Sequence, residues 1–403
     1  MSSDPARVHP AGAGAGTVAV HAGRRPDPVT GAALPPIVQS TTYVQDDLGV
    51  DRGYTYSRTR NPTVTALEEA LAAHEGAACA TAWASGMAAV TGLALAALRA
   101  GDHAVCSRSL YGGTVRLFER VLASFGVTVT FADARRPDAV AGAVRERTRL
   151  ILLETPGNPT LDLADVSAAA GVAREAGALL AVDNTFLTGV LQRPLELGAD
   201  VVVHSTTKFL DGHNAVVGGA LVTDDPELDE RLRFVRKTVG SIQSPFGAWL
   251  THQGLTTLPL RMERHSATAL AVAGWLALRS GVRRVLYPFL PDFPQHELAR
   301  RQQRSGGGVL AFELTGGEEA ARDLFRGLRL CRLAESLGAA QTLATHPVSM
   351  THADVSEELR RSLGVTPGLV RLSVGLEDPE DLIADLDRAL GTRGDRPGAG
   401  RSS

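Results

Sequence analysis

The stretch Val201–Asn214 reads VVVHSTTKFLDGHN and changes character halfway along. Its three valines favour a buried β-strand, because β-branched side chains pack well on a pleated surface. A histidine, a serine, two threonines and Lys208 then follow within five positions. A strand end that reaches water would explain the lysine without any function, since lysine is mostly exposed in proteins. The segments that precede this one decide between a solvated lysine and a site.

Two earlier apolar runs also end on polar side chains. RLILLE ends at Glu154, and ALLAVDN ends at Asn184, directly after Asp183. Between them, DVSAAAGVAREAG has helical composition, with Asp at its start and Gly at its end. This alternation predicts an α/β fold with a mostly parallel sheet covered by helices. Because ligands bind at the carboxyl ends of such strands, three polar strand ends together predict a site.

The pattern of apolar and polar residues changes after about Leu255. RHSATALAVAGWLALRS is an amphipathic helix candidate, and GGGVLAFEL, LVRLSVGLE and the closing helix DPEDLIADLDRALG follow it. We therefore predict a smaller α+β domain at the C-terminal end. Residues at the two termini are rich in Gly, Pro, Ser and Arg, which is typical of disorder.

Charge and cysteine content limit the possible partners and compartment. The chain has 41 Lys and Arg against 44 Asp and Glu, a formal charge of −3, which argues against nucleic-acid or anionic-membrane partners. Cys79, Cys106 and Cys331 are widely spaced and form no CxxC pair, as expected for reduced cysteines in the cytoplasm. The first sixteen residues lack the apolar stretch of a signal peptide.

One uncharged segment, 77–98, is long enough to span a bilayer. Its residues are mostly Ala, Gly, Thr and Ser, and Ser85 and Gly86 form a turn signal within it. A buried strand, a turn and a helix explain this composition better than a membrane span. We therefore expect a soluble protein.

A lysine and an aspartate at neighbouring strand ends suit one cofactor in particular. A buried lysine is readily tuned towards the neutral amine, which attacks carbonyl carbons. A carboxylate such as Asp183 can keep a pyridine nitrogen protonated, and pyridoxal 5'-phosphate (PLP) requires both groups. The hydroxyls of Ser205 and Thr207 and a strand-to-helix turn at Ser85 could hold its phosphate. Asp183 could instead cap a helix.

Seven segments lie in order within roughly Thr17–Leu390: YSRTRNPT, ASGMAAV, LYGGT, ETPGNPT, VDNTF, HSTTKFLDGHN and VRLSVGLED. Together they resemble the Cys/Met-metabolism group of PLP-dependent enzymes. The group includes cystathionine γ-synthase, cystathionine γ- and β-lyases, methionine γ-lyase and homoserine-ester sulfhydrylases. The resemblance implies PLP as cofactor and the aspartate-aminotransferase-like fold, fold type I, with a mostly parallel large domain and a smaller α+β domain.

The resemblance also implies roles for individual residues. Lys208 would form an imine with PLP and then move protons, and Asp183 would pair with the pyridine nitrogen. Tyr111 would stack on the ring and assist proton transfer as a third catalytic residue. The phosphate would be held by Gly86, Met87, Ser205 and Thr207.

The substrate carboxylate is expected at Arg371. This arginine lies among apolar residues in VRLSVGLED, where an unpaired charge would be expensive. Its planar guanidinium suits a carboxylate, and the resemblance adds Asn158 and Ser336 as helpers. An internal Asp or Glu is the alternative partner.

The resemblance implies that active sites are shared between subunits. Tyr56 and Arg58 would reach the phosphate in a neighbouring subunit of a homotetramer built as a dimer of dimers, although they could also form an ordinary exposed turn. We therefore divide the chain into five parts. They are a disordered leader (1–16), an arm that contacts the neighbouring subunit (17–60), a PLP-binding large domain (61–255), a small domain (256–390) and a disordered tail (391–403).

Departures from the group's patterns bear on the reaction. Gly113 stands where methionine γ-lyases have cysteine, and Arg116 matches an arginine directed at the distal end of the substrate. Thr55 and Gln341 stand where cystathionine γ-synthases and γ-lyases have carboxylates, which removes charge that would compensate a distal ammonium. Each charged hydrogen bond is worth about 1.5–3 kcal/mol. We hypothesise a substrate with an uncharged or anionic distal arm, or a nucleophile other than cysteine.

The predicted activity is therefore PLP-dependent γ-replacement or γ-elimination on a homoserine-derived or sulfur-containing amino acid. A cystathionine β-lyase, a methionine γ-lyase and a γ-substitution enzyme of specialised metabolism are the alternatives within the group. A binding module that has lost catalysis is disfavoured by the intact Lys208, Asp183, Tyr111 and Arg371. A nicotinamide-dependent oxidoreductase is disfavoured because the chain lacks the required glycine loop.

Overall fold

The computed structural model describes residues 12–353, 355 and 357–391. Within them, a large sheet and a small sheet are formed. The large sheet contains β1 (Cys79–Trp83), β2 (His103–Ser107), β3 (Thr128–Ala132), β4 (Thr148–Glu154), β5 (Leu179–Asp183), β6 (Val201–His204) and β7 (Gly219–Thr223). The small sheet contains β8 (Val282–Leu286), β9 (Val309–Leu314), β10 (Arg332–Leu333), β11 (Leu343–Thr345) and β12 (Leu369–Ser373).

The helices cover both sheets. The first nine are α1 (Ala15–His21), α2 (Pro62–Glu75), α3 (Gly86–Ala97), α4 (Gly112–Arg116), α5 (Pro137–Ala143), α6 (Val166–Ala176), α7 (Thr188–Leu191), α8 (Pro226–Val239) and α9 (Pro245–Leu255). The others are α10 (Leu258–Ala277), α11 (His296–Gln302), α12 (Gly317–Gly327), α13 (Glu357–Ser362) and α14 (Pro379–Gly391). A π-helical turn, Leu117–Val121, and two 3-10 turns, Leu122–Phe125 and Leu195–Leu197, complete the helical segments.

The large sheet is mostly parallel, as the sequence predicts. Its strand order is β1-β7-β6-β5-β4-β2-β3, and only β7 pairs antiparallel with its neighbours. The consecutive strands β4, β5 and β6 are adjacent, with Glu154 opposite Asp183 and Asp183 opposite Val203. The three polar strand ends therefore meet at one edge.

Both faces of the large sheet are buried by helices. Val201 and Val203 pack in the same apolar cluster as Leu93 of α3, whereas Val202 packs with Leu67 of α2 on the other face. Burying a valine side chain contributes about 1.5 kcal/mol or more. Because the valine side chains alternate between the two faces of the sheet, packing on both faces anchors the strand that leads to Lys208.

Local capping signals set several helix ends. The Asp165 side chain accepts a hydrogen bond from the Ala168 N–H at 3.1 Å at the start of α6, and Gly177 ends this helix with φ +61°. Residues 77–98 form β1 and α3, with Ser85 capping α3 through the Ala88 N–H. In the described part of the chain, no helix is long and apolar enough to cross a membrane.

The boundaries near the ends differ from the sequence predictions. The helix α1 begins at Ala15, so the last two residues of the predicted leader, 1–16, are helical. Likewise Gly391, the first residue of the predicted tail, lies in α14. The rest of the tail and residues 1–11 lie outside the described residues. The division into domains remains a prediction.

Candidate active site

A cavity of about 290 Å³ opens at the carboxyl ends of β4, β5 and β6. Side chains from the small-sheet half of the chain close its other side. Ten of the fifteen site residues predicted from the sequence line it: Gly86, Met87, Tyr111, Asn158, Asp183, Ser205, Thr207, Lys208, Ser336 and Arg371.

Lys208 lies in the turn after β6 and is half-buried in this cavity. Its Nζ donates a hydrogen bond to the Oγ of Ser336 at 2.8 Å. Burial is the main reason that the pKa of Lys208 falls to about 8; the positive Arg371 lowers it further and the Glu335 carboxylate opposes the change. A substantial fraction of Lys208 is therefore the neutral, nucleophilic amine at mildly alkaline pH.

Ser336 holds two functional side chains together. Besides its bond from Lys208, its carbonyl oxygen accepts a hydrogen bond from Nη2 of Arg371 at 2.7 Å. Its φ of +90° is unusual for a residue other than glycine. Such strain persists only where surrounding contacts enforce it, and it is concentrated at functional sites.

Arg371 is buried on β12 and is bonded to uncharged groups. Nη1 donates to Oδ1 of Asn158 at 2.8 Å, and Nη2 also donates to the hydroxyl of Thr345 at 3.1 Å. Its Nε has no hydrogen-bond partner among the described residues. Burial lowers the pKa of Arg371 to about 10, against the nearby carboxyls of Glu154 and Glu335. A guanidinium held this way beside a cavity is suited to bind a carboxylate from a ligand.

Asp183, which is half-buried, and Glu154, which is buried, are neighbouring carboxyls at the strand ends. Asp183 accepts a hydrogen bond from the Thr185 N–H at 3.0 Å, so it forms a local turn and caps no helix. Glu154 accepts from the N–H groups of Tyr111 at 2.8 Å and Asn158 at 3.2 Å. Burial raises the pKa of both carboxyls, and the proximity of Asp183 raises the pKa of Glu154 further.

The start of α3 forms a cradle for an anion. The first N–H groups of a helix, here those of Gly86 and Met87, have no acceptor within the helix and point towards its N-terminal end. A Cβ on Gly86 would lie 2.9 Å from the Cβ of Ser205, so the close approach of these segments requires glycine. With the Ser205 and Thr207 hydroxyls, this donor-rich pocket fits a phosphate group.

These features also test whether PLP fits the site. The pocket offers a phosphate cradle at one end, a carboxyl at a strand end for the pyridine nitrogen, and an amine of lowered pKa for the aldehyde. Tyr111 lines the same cavity. The residues present therefore match each functional group of the cofactor.

Five predicted residues do not line the cavity of the single chain: Thr55, Tyr56, Arg58, Arg116 and Gln341. Tyr56 and Arg58 lie on an exposed segment, where Arg58 donates to the carbonyl of Lys237 at 2.5 Å and its guanidinium lies 5.5 Å from the Tyr56 ring centre. Gln341 is also exposed.

Glu335 also lines the cavity, and no sequence motif points to it. It precedes Ser336, and its carboxylate raises the pKa of both Lys208 and Arg371. Adjacency to Ser336 was the only available signal. Glu154 was recognised as a strand end, but its bonds to Tyr111 and Asn158 depend on the folded loops.

Fold and site together match a PLP-dependent enzyme, with a lysine directly after a parallel strand. A family model described as Cys/Met metabolism PLP-dependent enzyme matches residues 16–391. The chain belongs to this family, which confirms the family, fold class and cofactor predicted from the sequence.

Relatives from bacteria and animals match along nearly the whole chain. The cystathionine gamma-synthase of Mycobacterium tuberculosis H37Rv is 50% identical, over 94% of this chain and 97% of its own. The cystathionine gamma-lyase of Mus musculus is 44% identical, over 93% and 94%. A crystal structure of cystathionine gamma synthase from Xanthomonas oryzae pv. oryzae, in complex with aminoacrylate and cysteine, has a TM-score of 0.92 at 43% identity and covers 94% of this chain and 98% of its own.

Proposed function

We propose that the enzyme performs γ-replacement or γ-elimination on a homoserine-derived or sulfur-containing amino acid. The supporting observation is the chain of contacts from Lys208 Nζ to Ser336 and from Ser336 to Arg371. These contacts fix the Lys208 amine, which would transfer protons, relative to the Arg371 guanidinium, which can bind the α-carboxylate of an amino acid. The synthase and lyase names of the relatives favour chemistry at the γ-carbon.

PLP, when bound, stores in its ring the electron pair that is left when a substrate proton is removed. Gly86, Met87, Ser205 and Thr207 would hold its phosphate. Asp183 would hold the ring nitrogen, Tyr111 would cover the ring, and Lys208 would bond to the aldehyde carbon.

Arg371 orients the substrate in this proposal. Its guanidinium binds the α-carboxylate, while Asn158 and the Ser336 carbonyl fix the plane of the guanidinium. A carboxylate bound in this way would direct the Cα proton towards Lys208, which is linked to Arg371 through Ser336. With its pKa lowered to about 8, Lys208 can accept that proton, then move one at Cβ and protonate the leaving group.

Gly113 supports the choice against methionine γ-lyase. A Cβ at this position would lie 2.5 Å from Cε1 of Tyr111 and 3.0 Å from the sulfur of Met87. A cysteine at residue 113 is therefore incompatible with this placement of the Tyr111 ring.

The substrate arm and the quaternary structure are further proposals. Thr55 and Gln341 favour a substrate with an uncharged or anionic distal arm. Glu335 opposes this hypothesis, because it is a carboxylate at the cavity that could pair with a distal ammonium.

We also infer a cytoplasmic homotetramer in which Tyr56 and Arg58 complete a neighbour's site. Co-expression of Lys208→Ala and Arg58→Ala chains should then restore activity that neither has alone, in about a quarter of sites for a symmetric pair. No recovery would contradict shared sites.

A product profile by mass spectrometry tests the proposed reaction. PLP-loaded enzyme receives O-succinylhomoserine, O-acetylhomoserine or cystathionine, each with and without cysteine or sulfide. Thioether or thiol products from the esters, or 2-oxobutyrate and ammonia, support chemistry at the γ-carbon. Pyruvate from cystathionine would instead show a β-lyase. Full activity of Lys208→Ala would overturn the role of Lys208.

A further inference from the structure

A buried polar network lies behind the active-site edge of the sheet. Nε2 of His204, the last residue of β6, is 2.6 Å from Oε1 of Glu75, the last residue of α2. Their side chains are 1% and 3% exposed. None of the steps above uses this pair.

The network continues to the two neighbouring strand ends. Asn184 donates to the Gln192 carbonyl at 2.8 Å and to Oε1 of Glu75 at 3.5 Å. The Gln192 amide donates to Oδ1 of Asn184 and to the carbonyl of Thr155, both at 3.1 Å. We call Glu75, Thr155, Asn184, Gln192 and His204 the strand-end network.

Each strand contributes to the network next to an active-site residue. Thr155, Asn184 and His204 are the chain neighbours of Glu154, Asp183 and Ser205 respectively. The network therefore ties together the ends of β4, β5 and β6 from the face opposite to the one where the valines pack on α3.

The network is more polar than packing alone requires. Oε2 of Glu75 and Nδ1 of His204 have no hydrogen-bond partner among the described residues. Replacing a buried ion pair by apolar side chains is often neutral or stabilising, so such a pair is poorly explained as a stabilising device. A requirement for charge at this position explains it.

We propose that Glu75 and His204 are positioning residues: as a buried hydrogen-bonded pair they hold the three strand ends in place and keep Asp183 ionised for a protonated cofactor ring nitrogen. This inference rests on the proposed function, because it assigns Asp183 to that nitrogen.

The charges around Asp183 agree with this role. Burial raises the pKa of Asp183, whereas the Thr185 hydroxyl and N–H and the charge of His204 lower it. Glu154 faces Asp183 from β4, and its own pKa is raised. Behind the sheet, burial lowers the pKa of His74 to about 3, so this histidine is neutral and adds no charge beside Glu75 and His204.

The test uses holoenzyme reconstituted with PLP that carries ¹⁵N in its ring, without substrate. Glu75→Gln keeps the shape of the side chain and removes its charge, and His204→Gln removes the imidazole. In both variants we expect the ¹⁵N resonance to move towards that of an unprotonated ring and the Kd of PLP to rise at least tenfold. The double variant should be no worse than either single one, because the two residues act as a unit.

Glu313→Gln is the matched control. Glu313 is a similarly buried carboxylate, paired with Arg284 at 2.7 Å in the small sheet. Its loss should lower the unfolding temperature without moving the ¹⁵N resonance. The proposal is wrong if Glu75→Gln and His204→Gln behave like this control; should one of them fail to fold, the other decides. An unprotonated ring in the wild type would instead contradict the proposed function of Asp183.

Discussion

Lys208 lies between a positive and a negative neighbour, Arg371 and Glu335. Because the Glu335 carboxylate raises the pKa of Lys208, Glu335→Gln should lower this pKa below about 8. The rate at which apoenzyme binds PLP, followed by absorbance against pH, reports the neutral amine, so its midpoint should move to lower pH. Glu318→Gln, an exposed residue on α12, is the control. An unchanged midpoint would show that Glu335 does not act on Lys208.

Arg371 allows a test of carboxylate binding. Lysine cannot maintain the bonds to Asn158, Ser336 and Thr345 and also present a two-pronged donor. Arg371→Lys should therefore lower kcat/KM for the amino-acid substrate roughly 100-fold, about 3 kcal/mol. The exposed Arg361→Lys is its control. Equal kcat/KM in the two variants would show that Arg371 does not bind the substrate carboxylate.

The residues that sequence could predict are those inside local motifs. Lys208 and Asp183 follow apolar strands directly, and Arg371 stands out as a charge among apolar neighbours. Glu335 and Glu75 carry no such signal, because their importance arises from contacts with residues far away in the chain. Gln341 was assigned to the substrate by resemblance, yet it does not line the cavity of the single chain.

At the scale of elements, the start of α3 is the most sensitive. Gly86→Ala would place a Cβ 2.9 Å from that of Ser205 and push the anion cradle apart. We expect the Kd of PLP, measured by fluorescence titration, to rise at least tenfold. Gly171→Ala, within α6 and with no atom within 4 Å of the new Cβ, is the matched control. It should leave PLP binding unchanged and add about 0.5–1 kcal/mol of stability. Normal PLP binding by Gly86→Ala would contradict the cradle.

The sequence predicts the ends of a helix well where capping residues mark them. Asp165 and Gly177 delimit α6 as expected. By contrast, α10 begins at Leu258, six residues before the predicted Arg264, because Pro259 is tolerated in the first turn and Met262 is buried. The glycine-rich segment before α1 favoured disorder, but packing of Val18 outweighs this weak propensity.

At the scale of the molecule, buried histidines predict acid sensitivity. Burial lowers the pKa of His74 to about 3 and those of His252, His265 and His352 to about 4. The unfolded chain therefore binds protons below about pH 6.5 that the native protein does not. Their contribution to stability is complete above pH 6.5 and is lost as the pH falls towards 4, on the order of 2 kcal/mol each by pH 5.

Thermal unfolding at pH 7.5 and pH 5 measures this effect. We expect a markedly lower midpoint at pH 5, and a smaller difference in His252→Gln. His21→Gln, exposed on α1, should behave like the wild type. A midpoint independent of pH would show that these histidines are not buried as described.

The central claim, proton transfer by Lys208 that leads to γ-chemistry, is tested most directly in D₂O. The enzyme converts O-succinylhomoserine and cysteine, and the product is analysed by NMR and mass spectrometry. The account predicts deuterium at both Cα and Cβ of the homoserine-derived arm, and none with Lys208→Ala. Deuterium at Cα alone, or equal incorporation by Lys208→Ala, would contradict it.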